Sequence, residues 1–277
     1  MLEPSQRPER PSDPVTTALR ELRLSAPDLA PAADLQLELA LISRRISGRA
    51  PLPFLASTPE RQARLTGGTR VLSYSDLRFD WSDVRLSVRE VTRALDAVGA
   101  LQPADVSAGA SLVRSETPVL ERCLRRWFDH DATDPLPEGL HEALDTALRP
   151  FLARAASAAL TGLDVSAWQR TACPACGATP DFAMIAKNGV RHLCCHRCRT
   201  QWPWHAWACP RCENSDQQTI SSFATRDGMY RVYACGRCHR YLKAFDCRTA
   251  PRPFLPEVDL IATLPLDAAA MQKGFTS

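Results

Sequence analysis

Ten of the eleven cysteines lie between Cys173 and Cys247, and Cys123 stands apart. Eight of the ten form four Cys-x-x-Cys pairs: Cys173/Cys176, Cys195/Cys198, Cys209/Cys212 and Cys235/Cys238. Thiolates at this spacing bind a soft metal two at a time, and two such pairs complete a tetrahedral four-sulfur site. A single pair could equally be a redox motif. Four pairs on one short stretch point instead to two metal sites. The first residues, "MLEPSQRPERPSDP", lack an apolar run after their charges, so a secretory leader is not expected. That favours a reducing compartment, the cytoplasm, where clustered cysteines are metal ligands rather than disulfides. No stretch approaches the roughly 20 apolar residues of a membrane span, so no membrane insertion is expected.

The elements around the pairs repeat. Between the first two pairs, Phe182 to Ala186 reads as a strand, Asn188-Gly189 as a turn, and Val190 to Leu193 as the returning strand. Between the last two, Thr219 to Ala224, Asp227-Gly228 and Met229 to Tyr233 give the same order. Each hairpin carries its second pair back beside its first, which favours sequential sites over an interleaved cross-brace, though the cross-brace stays open. Four thiolates suit zinc and suit a single rubredoxin-like iron equally, so the expected cofactors are two metal ions, iron or zinc, one per site. Cys195, rather than its neighbour Cys194, keeps the spacing of the other pairs. Cys194, Cys247 and Cys123 are expected as packed or surface thiols, and His192, His196 and His239 as neighbours rather than ligands. Trp202, Trp204 and Trp207 are expected to wedge the two ribbons together.

The remaining chemistry is sparse. The spacing of a phosphate loop is absent, and the conspicuous cysteines leave no nucleophile–base constellation. A closed four-cysteine site also offers no open position for substrate. The chain therefore reads as a non-enzyme. Residues 171–247 hold ten Lys and Arg against five Asp and Glu. Eight thiolates on two divalent ions add roughly −4, which leaves about +1 and no free basic stripe for phosphates. A nucleic-acid-binding zinc ribbon is thus the weaker alternative, and an electron-transfer protein using rubredoxin-like iron is another.

Upstream, the periodicity is helical. "VTTALRELRL", "AADLQLELALISRRIS", "SDVRLSVREVTRALDAVG", "SETPVLERCLRRWFDH" and "GLHEALDTALRPFLARAASAAL" each place apolar residues three and four apart. Ser82 is a candidate cap for the third, and Pro150 is expected to kink or split the fifth. The segment from Pro51 to Phe79 sets no element by its pattern. The expected fold is α+β: a flexible tail (1–14), a helical domain (15–165), two tandem four-cysteine rubredoxin-like or zinc-ribbon-like hairpin units (166–206 and 207–248), and a C-terminal extension (249–277) packing on the ribbons or the helices.

The motifs "CPACGATP", "HLCCHRCRTQW", "CPRC", "YACGRCHRYLKAFD" and "PEVDLIATLPLD" occur in that order. In this respect residues 171–268 resemble the formate dehydrogenase accessory (formation) proteins of the FdhE type, although that family commonly has an acidic residue where Gln201 stands. The helical half resembles the family in layout alone. The resemblance implies a cytoplasmic factor that contacts the catalytic subunit of respiratory formate dehydrogenase before export. It also implies iron-capable sites on Cys173, Cys176, Cys195 and Cys198, and on Cys209, Cys212, Cys235 and Cys238.

Overall fold

A computed structural model describes residues 13–129, 135–166, 168–204 and 207–276. Of the expected tail, residues 1–12 lie outside the described residues. Asp13 already caps the first helix, its carboxylate accepting from the Thr16 amide at 3.2 Å.

Among the described residues, seven α-helices precede the cysteine cluster: α1 (Pro14–Ser25), α2 (Ala30–Ser47), α3 (Thr58–Thr66), α4 (Trp81–Ala97), α5 (Pro103–Arg114), α6 (Thr117–Asp129) and α7 (Glu138–Leu160). The expected helices correspond to α1, α2, α4, α6 and α7. The cap of α4 is Asp80, whose Oδ1 accepts from the amides of Ser82 and Asp83, so Ser82 sits inside the first turn. α7 is central. Leu140, Leu144, Leu148, Phe151 and Ala155 are buried on it, and so are Ala143, Ala147, Ala156 and Ala159, whose small side chains let neighbouring helices come close on several sides. Pro150 does not split α7, which runs as one 23-residue helix. α3 supplies order to the segment around Pro51–Phe79. Arg61 from α3 is buried and donates to the carbonyl of Ala159 at the end of α7.

The cysteine half forms one mixed six-stranded sheet, in the order β3-β2-β1-β6-β5-β4. The strands are β1 (Pro180–Ile185), β2 (Arg191–Cys195), β3 (Gln201–Trp204), β4 (Ile220–Ala224), β5 (Tyr230–Cys235) and β6 (Tyr241–Asp246). Each unit is a three-stranded antiparallel meander containing the expected hairpin. The two units join edge to edge through a parallel pairing of β1 with β6, Ala183 opposite Ala244. Being central, β6 is buried along its whole length.

The pleat divides the sheet's surroundings. Ala183, Leu193, Trp202 and Ala244 share a core with Trp127, Phe128, Leu148 and Leu152 of the helices. Phe182, Cys194, Tyr230 and Phe245 face the other way, against Phe254, Leu260 and Leu266. The last two of these come from α8 (Pro256–Ala262) and α9 (Leu264–Gln272). This closing segment is pinned by polar bonds: Tyr230 Oη donates to Asp259 at 2.7 Å, and Tyr241 Oη and Lys243 Nζ to Asp267 at 2.6 Å each. Among the described residues, no helix is long and apolar enough to cross a membrane.

Candidate metal centres

Each Cys-x-x-Cys pair opens a turn of the same construction. The amide four residues after the first cysteine bonds back to that cysteine's carbonyl: Gly177 to Cys173 (2.9 Å), Arg199 to Cys195 (3.1 Å), Glu213 to Cys209 (2.9 Å) and His239 to Cys235 (2.9 Å). A second bond closes each turn, from the first cysteine's amide to the carbonyl of Ala178, Thr200, Asn214 or Arg240. The residue after each pair takes a left-handed backbone, with φ of 81° at Gly177, 59° at Arg199, 56° at Glu213 and 55° at His239. Gly177 is the natural occupant of such a position, while the other three accept conformational strain there.

These turns bring the sulfurs together unit by unit. Cys173, Cys176, Cys195 and Cys198 form one group, and Cys209, Cys212, Cys235 and Cys238 form the other, with each group's sulfurs within 4.8 Å of one another. Sulfur–sulfur separations include 3.6 Å (Cys173–Cys198), 3.5 Å (Cys176–Cys195 and Cys176–Cys198) and 3.7 Å (Cys209–Cys238 and Cys212–Cys235). A tetrahedron with metal–sulfur bonds of about 2.3 Å has edges of about 3.8 Å, so both groups fit a four-thiolate ion. They are far from the ~2.05 Å of a disulfide. The cross-braced arrangement does not occur. Adjacent residues on a strand face opposite sides, which separates Cys195, in the first group, from Cys194, packed beside Phe182 and Phe245.

The two groups differ in surroundings. All four cysteines of the first are buried, within the core shared with the helices. In the second, Cys212 and Cys238 are partly exposed. Burial pushes the Cys173 thiol up. Burial alone would raise Cys195 too, but the sulfhydryls of Cys173, Cys176 and Cys198 aimed at it hold it well below the usual thiol range. In the second group burial opposes ionisation of Cys235, yet the amides of Cys238 and Arg237 and the side chain of Asn214 bring it to about 7. Four converging sulfurs thus compete for protons, a donor set that a divalent or trivalent cation relieves.

The helical half grips the first group directly. The amides of Val71 and Leu72 donate to the carbonyls of Pro174 and Ala175, at 2.9 and 3.0 Å. Arg70 donates to the Cys176 carbonyl at 3.1 Å and to Asp129 at 2.6 Å. From the other pair, His196 and Arg197 reach α7. Asp145 Oδ1 accepts from Arg197 Nε and Trp127 Nε1, each at 2.7 Å, and Oδ2 lies 3.0 Å from His196 Nε2. The Arg197 guanidinium also lies 4.5 Å from the Trp127 ring. Burial opposes the charge on Asp145, but these partners win and bring its carboxyl to about 2. Sequence reasoning missed this network. Its one local signal is His141 and Asp145, four apart on α7.

Other expected neighbours resolve differently. Among the described residues no histidine joins either sulfur group. His239 lies against Phe275. Trp202 and Trp204 are buried in β3, at the sheet edge away from the second unit and in the core shared with the helices, so they do not wedge the two ribbons together; β1 and β6 join the units instead. Trp207 is 52% exposed.

Fold and site together define an α+β protein: a helical layer on a mixed sheet that carries two four-cysteine knuckle sites. No family model matches the chain. Curated relatives, each called "Protein FdhE homolog", do. One from Haemophilus ducreyi is 34% identical over 110 residues, 39% of this chain and 36% of that protein. One from Shewanella baltica is 32% identical over 110 residues, with the same shares. One from Citrobacter koseri is 34% identical over 110 residues, 39% of this chain and 35% of that protein. The aligned segment thus spans little more than a third of each relative. Over a greater length, the crystal structure of the FdhE protein from Pseudomonas aeruginosa shares the fold, with a TM-score of 0.64 over 94% of this chain and 90% of that one at 24% identity. The chain is thus similar to FdhE homologues in sequence over that segment, and shares the fold of an FdhE protein over nearly its whole length.

Proposed function

We propose that the chain is an accessory factor in forming active respiratory formate dehydrogenase. It acts in the cytoplasm by binding the catalytic subunit before export, and it is not itself a catalyst. The observation that carries this reading is the pair of four-sulfur groups set in an FdhE-type fold. Cys173, Cys176, Cys195 and Cys198 would hold one metal ion, and Cys209, Cys212, Cys235 and Cys238 the other, iron or zinc in each case. With four protein ligands per ion, no coordination position stays open for substrate. Bound there, such ions would fix the knuckles: Cys173, Cys176, Cys195 and Cys198 would tie the first ribbon to the helices, and Cys209, Cys212, Cys235 and Cys238 would stiffen the more exposed end of the sheet. The test is co-purification. The affinity-tagged chain should retain a molybdenum- or tungsten-containing formate dehydrogenase subunit from cytoplasmic extract, and a Cys195→Ala variant should lose it. Retention of no such subunit by the wild-type chain would contradict the reading.

A further inference from the structure

The two edges of the sheet, β3 and β4, are built differently. On β3 the ladder bond next to the strand runs from the Cys195 amide to the Thr200 carbonyl, at 2.9 Å, while His192 lies opposite Pro203. Bonded and non-bonded pairs alternate along an antiparallel ladder. Gln201 and Pro203 are therefore the residues of β3 whose backbone points away from the sheet. Pro203 has no N–H to offer there, and a proline so placed blocks the addition of a further strand.

β4 has no such guard. Its register with β5 is unbroken, from Ile220 opposite Cys235 to Ala224 opposite Arg231. The flanking bonds, from the Gly236 amide to Thr219 at 2.8 Å and from the Thr225 amide to Tyr230 at 2.9 Å, fix the alternation. Ser221 and Phe223 thus bond β5, and Ile220, Ser222 and Ala224 turn their backbone outward. The Ile220 amide is taken by the Gln217 carbonyl. Ser222 and Ala224 present theirs to solvent, and every residue from Ser221 to Ala224 is exposed. Neither a proline nor a charge interrupts "ISSFA".

The side chains around this edge are apolar and basic. Phe223 is 50% exposed, and Lys273 Nζ, at the end of α9, lies 5.0 Å from the centre of its ring. Arg226 is exposed in the turn that follows β4. The carboxylate beside it, Asp227, is held within that turn by the Thr225 hydroxyl at 2.6 Å and the Met229 amide at 3.0 Å.

We infer that β4 is a docking edge for an acidic, extended segment of a partner protein, which adds to the sheet as a further strand. Main-chain bonds to Ser222 and Ala224 set its register, Phe223 takes an apolar side chain, and Lys273 and Arg226 select carboxylates. A second copy of the chain pairing here would bring its own Lys273 and Arg226 to the edge, so the charge favours a foreign acidic strand. Naming the partner as a formate dehydrogenase subunit rests on the accessory role proposed above; the edge itself does not.

The experiment titrates the full-length, metal-loaded protein into a short fluorescent peptide of alternating Glu and Val, with alternating Lys and Val as the reference, and reads anisotropy. The Glu–Val peptide should bind saturably and the Lys–Val peptide should not. Ser222→Pro removes one outward amide and spares the bonds to β5. It should weaken binding about tenfold while keeping the metal content and melting temperature of the wild type. Lys273→Glu should weaken it several-fold. Equal binding of the two peptides would overturn the inference, as would wild-type affinity in Ser222→Pro. If Ser222→Pro does not fold, an affinity unaltered by Lys273→Glu overturns it alone. A wild-type dimer that Ser222→Pro splits would overturn the choice of occupant. In cell extract, a formate dehydrogenase subunit retained equally by the wild type and Ser222→Pro would overturn the docking edge and leave the accessory role. Peptide binding with no subunit retained would support the edge and count against that role.

Discussion

Arg197 Nε donates to Asp145 Oδ1 at 2.7 Å, in a contact that joins the tip of a cysteine knuckle to the central helix. Arg197 is wholly buried and Asp145 nearly so. Removing one member of such a pair leaves an uncompensated buried charge. Asp145→Ala should therefore cost about 3–5 kcal/mol of stability, measured by denaturant unfolding. Because the network surrounds His196 and Arg197, the first site should release its metal more readily while the second keeps its own. Equal release from both sites would show that the network does not support the first.

The difference in burial between the sites predicts two rates of metal loss. A chelator should remove one equivalent quickly, from the group with partly exposed Cys212 and Cys238. The second equivalent, within the core shared by helices and sheet, should leave slowly. Cys212→Ala should erase the fast phase and Cys195→Ala the slow one, read by release of bound metal over time. A single phase in the wild-type protein would contradict the assignment.

The left-handed knuckle positions predict substitutions of opposite sign. A Cβ at Gly177 would approach Arg70 Cδ to 2.9 Å and sit at φ 81°. Gly177→Ala should destabilise by about 1–2 kcal/mol. Glu213 and His239 hold the same backbone without glycine. Glu213→Gly should be neutral or stabilising by up to about 1 kcal/mol, since relief of the strain offsets glycine's entropy. Thermal unfolding of the metal-loaded variants checks both.

How legible all this was depends on where the determinants lie. The hairpins could be read because their signals are local: Asn188-Gly189 and Asp227-Gly228 each end on a glycine at positive φ, 84° and 71°. The sulfur grouping followed from those hairpins. β6 and β3 could not be read. β6 is a strand because β1 and β5 flank it, a long-range condition, and "YLKAFD" does not alternate, since both of its faces are covered. Pro203 in the middle of β3 also speaks against a strand, and is tolerated because β3 is the sheet edge. α5 was missed because "PADVSAGASLVR" has small residues where it packs: Gly109 lies against Thr92 of α4, and a Cβ there would come within 3.1 Å of the Thr92 hydroxyl. The Asp145 network was hidden for the same reason as β6, its members being about 50 residues apart in the chain, as for Asp145 and Arg197.

Asp246 gives the fold a defined acid limb. Hydrogen bonds from Arg248, and from Arg231 on β5, hold its carboxyl down to about 2, against an ordinary value of 3.8. A carboxylate with a depressed folded-state pKa contributes its full stability above the ordinary value and loses it as pH falls toward the folded one. Asp246→Asn should lower stability near neutral pH by about 1.5–3 kcal/mol. The gap to wild type should then close between about pH 4 and pH 2. Protonation of the cysteine groups is common to both proteins and cancels in the difference. A gap that stays constant across this range would contradict the role given to Asp246.

The proposed role in forming formate dehydrogenase depends on metal-fixed ribbons. The most direct measurement is formate oxidation in a strain lacking the gene, complemented with the wild-type chain or with Cys195→Ala. Activity should be lost on deletion, restored by the wild type, and not restored by the variant. Normal formate oxidation in the deletion strain would contradict it.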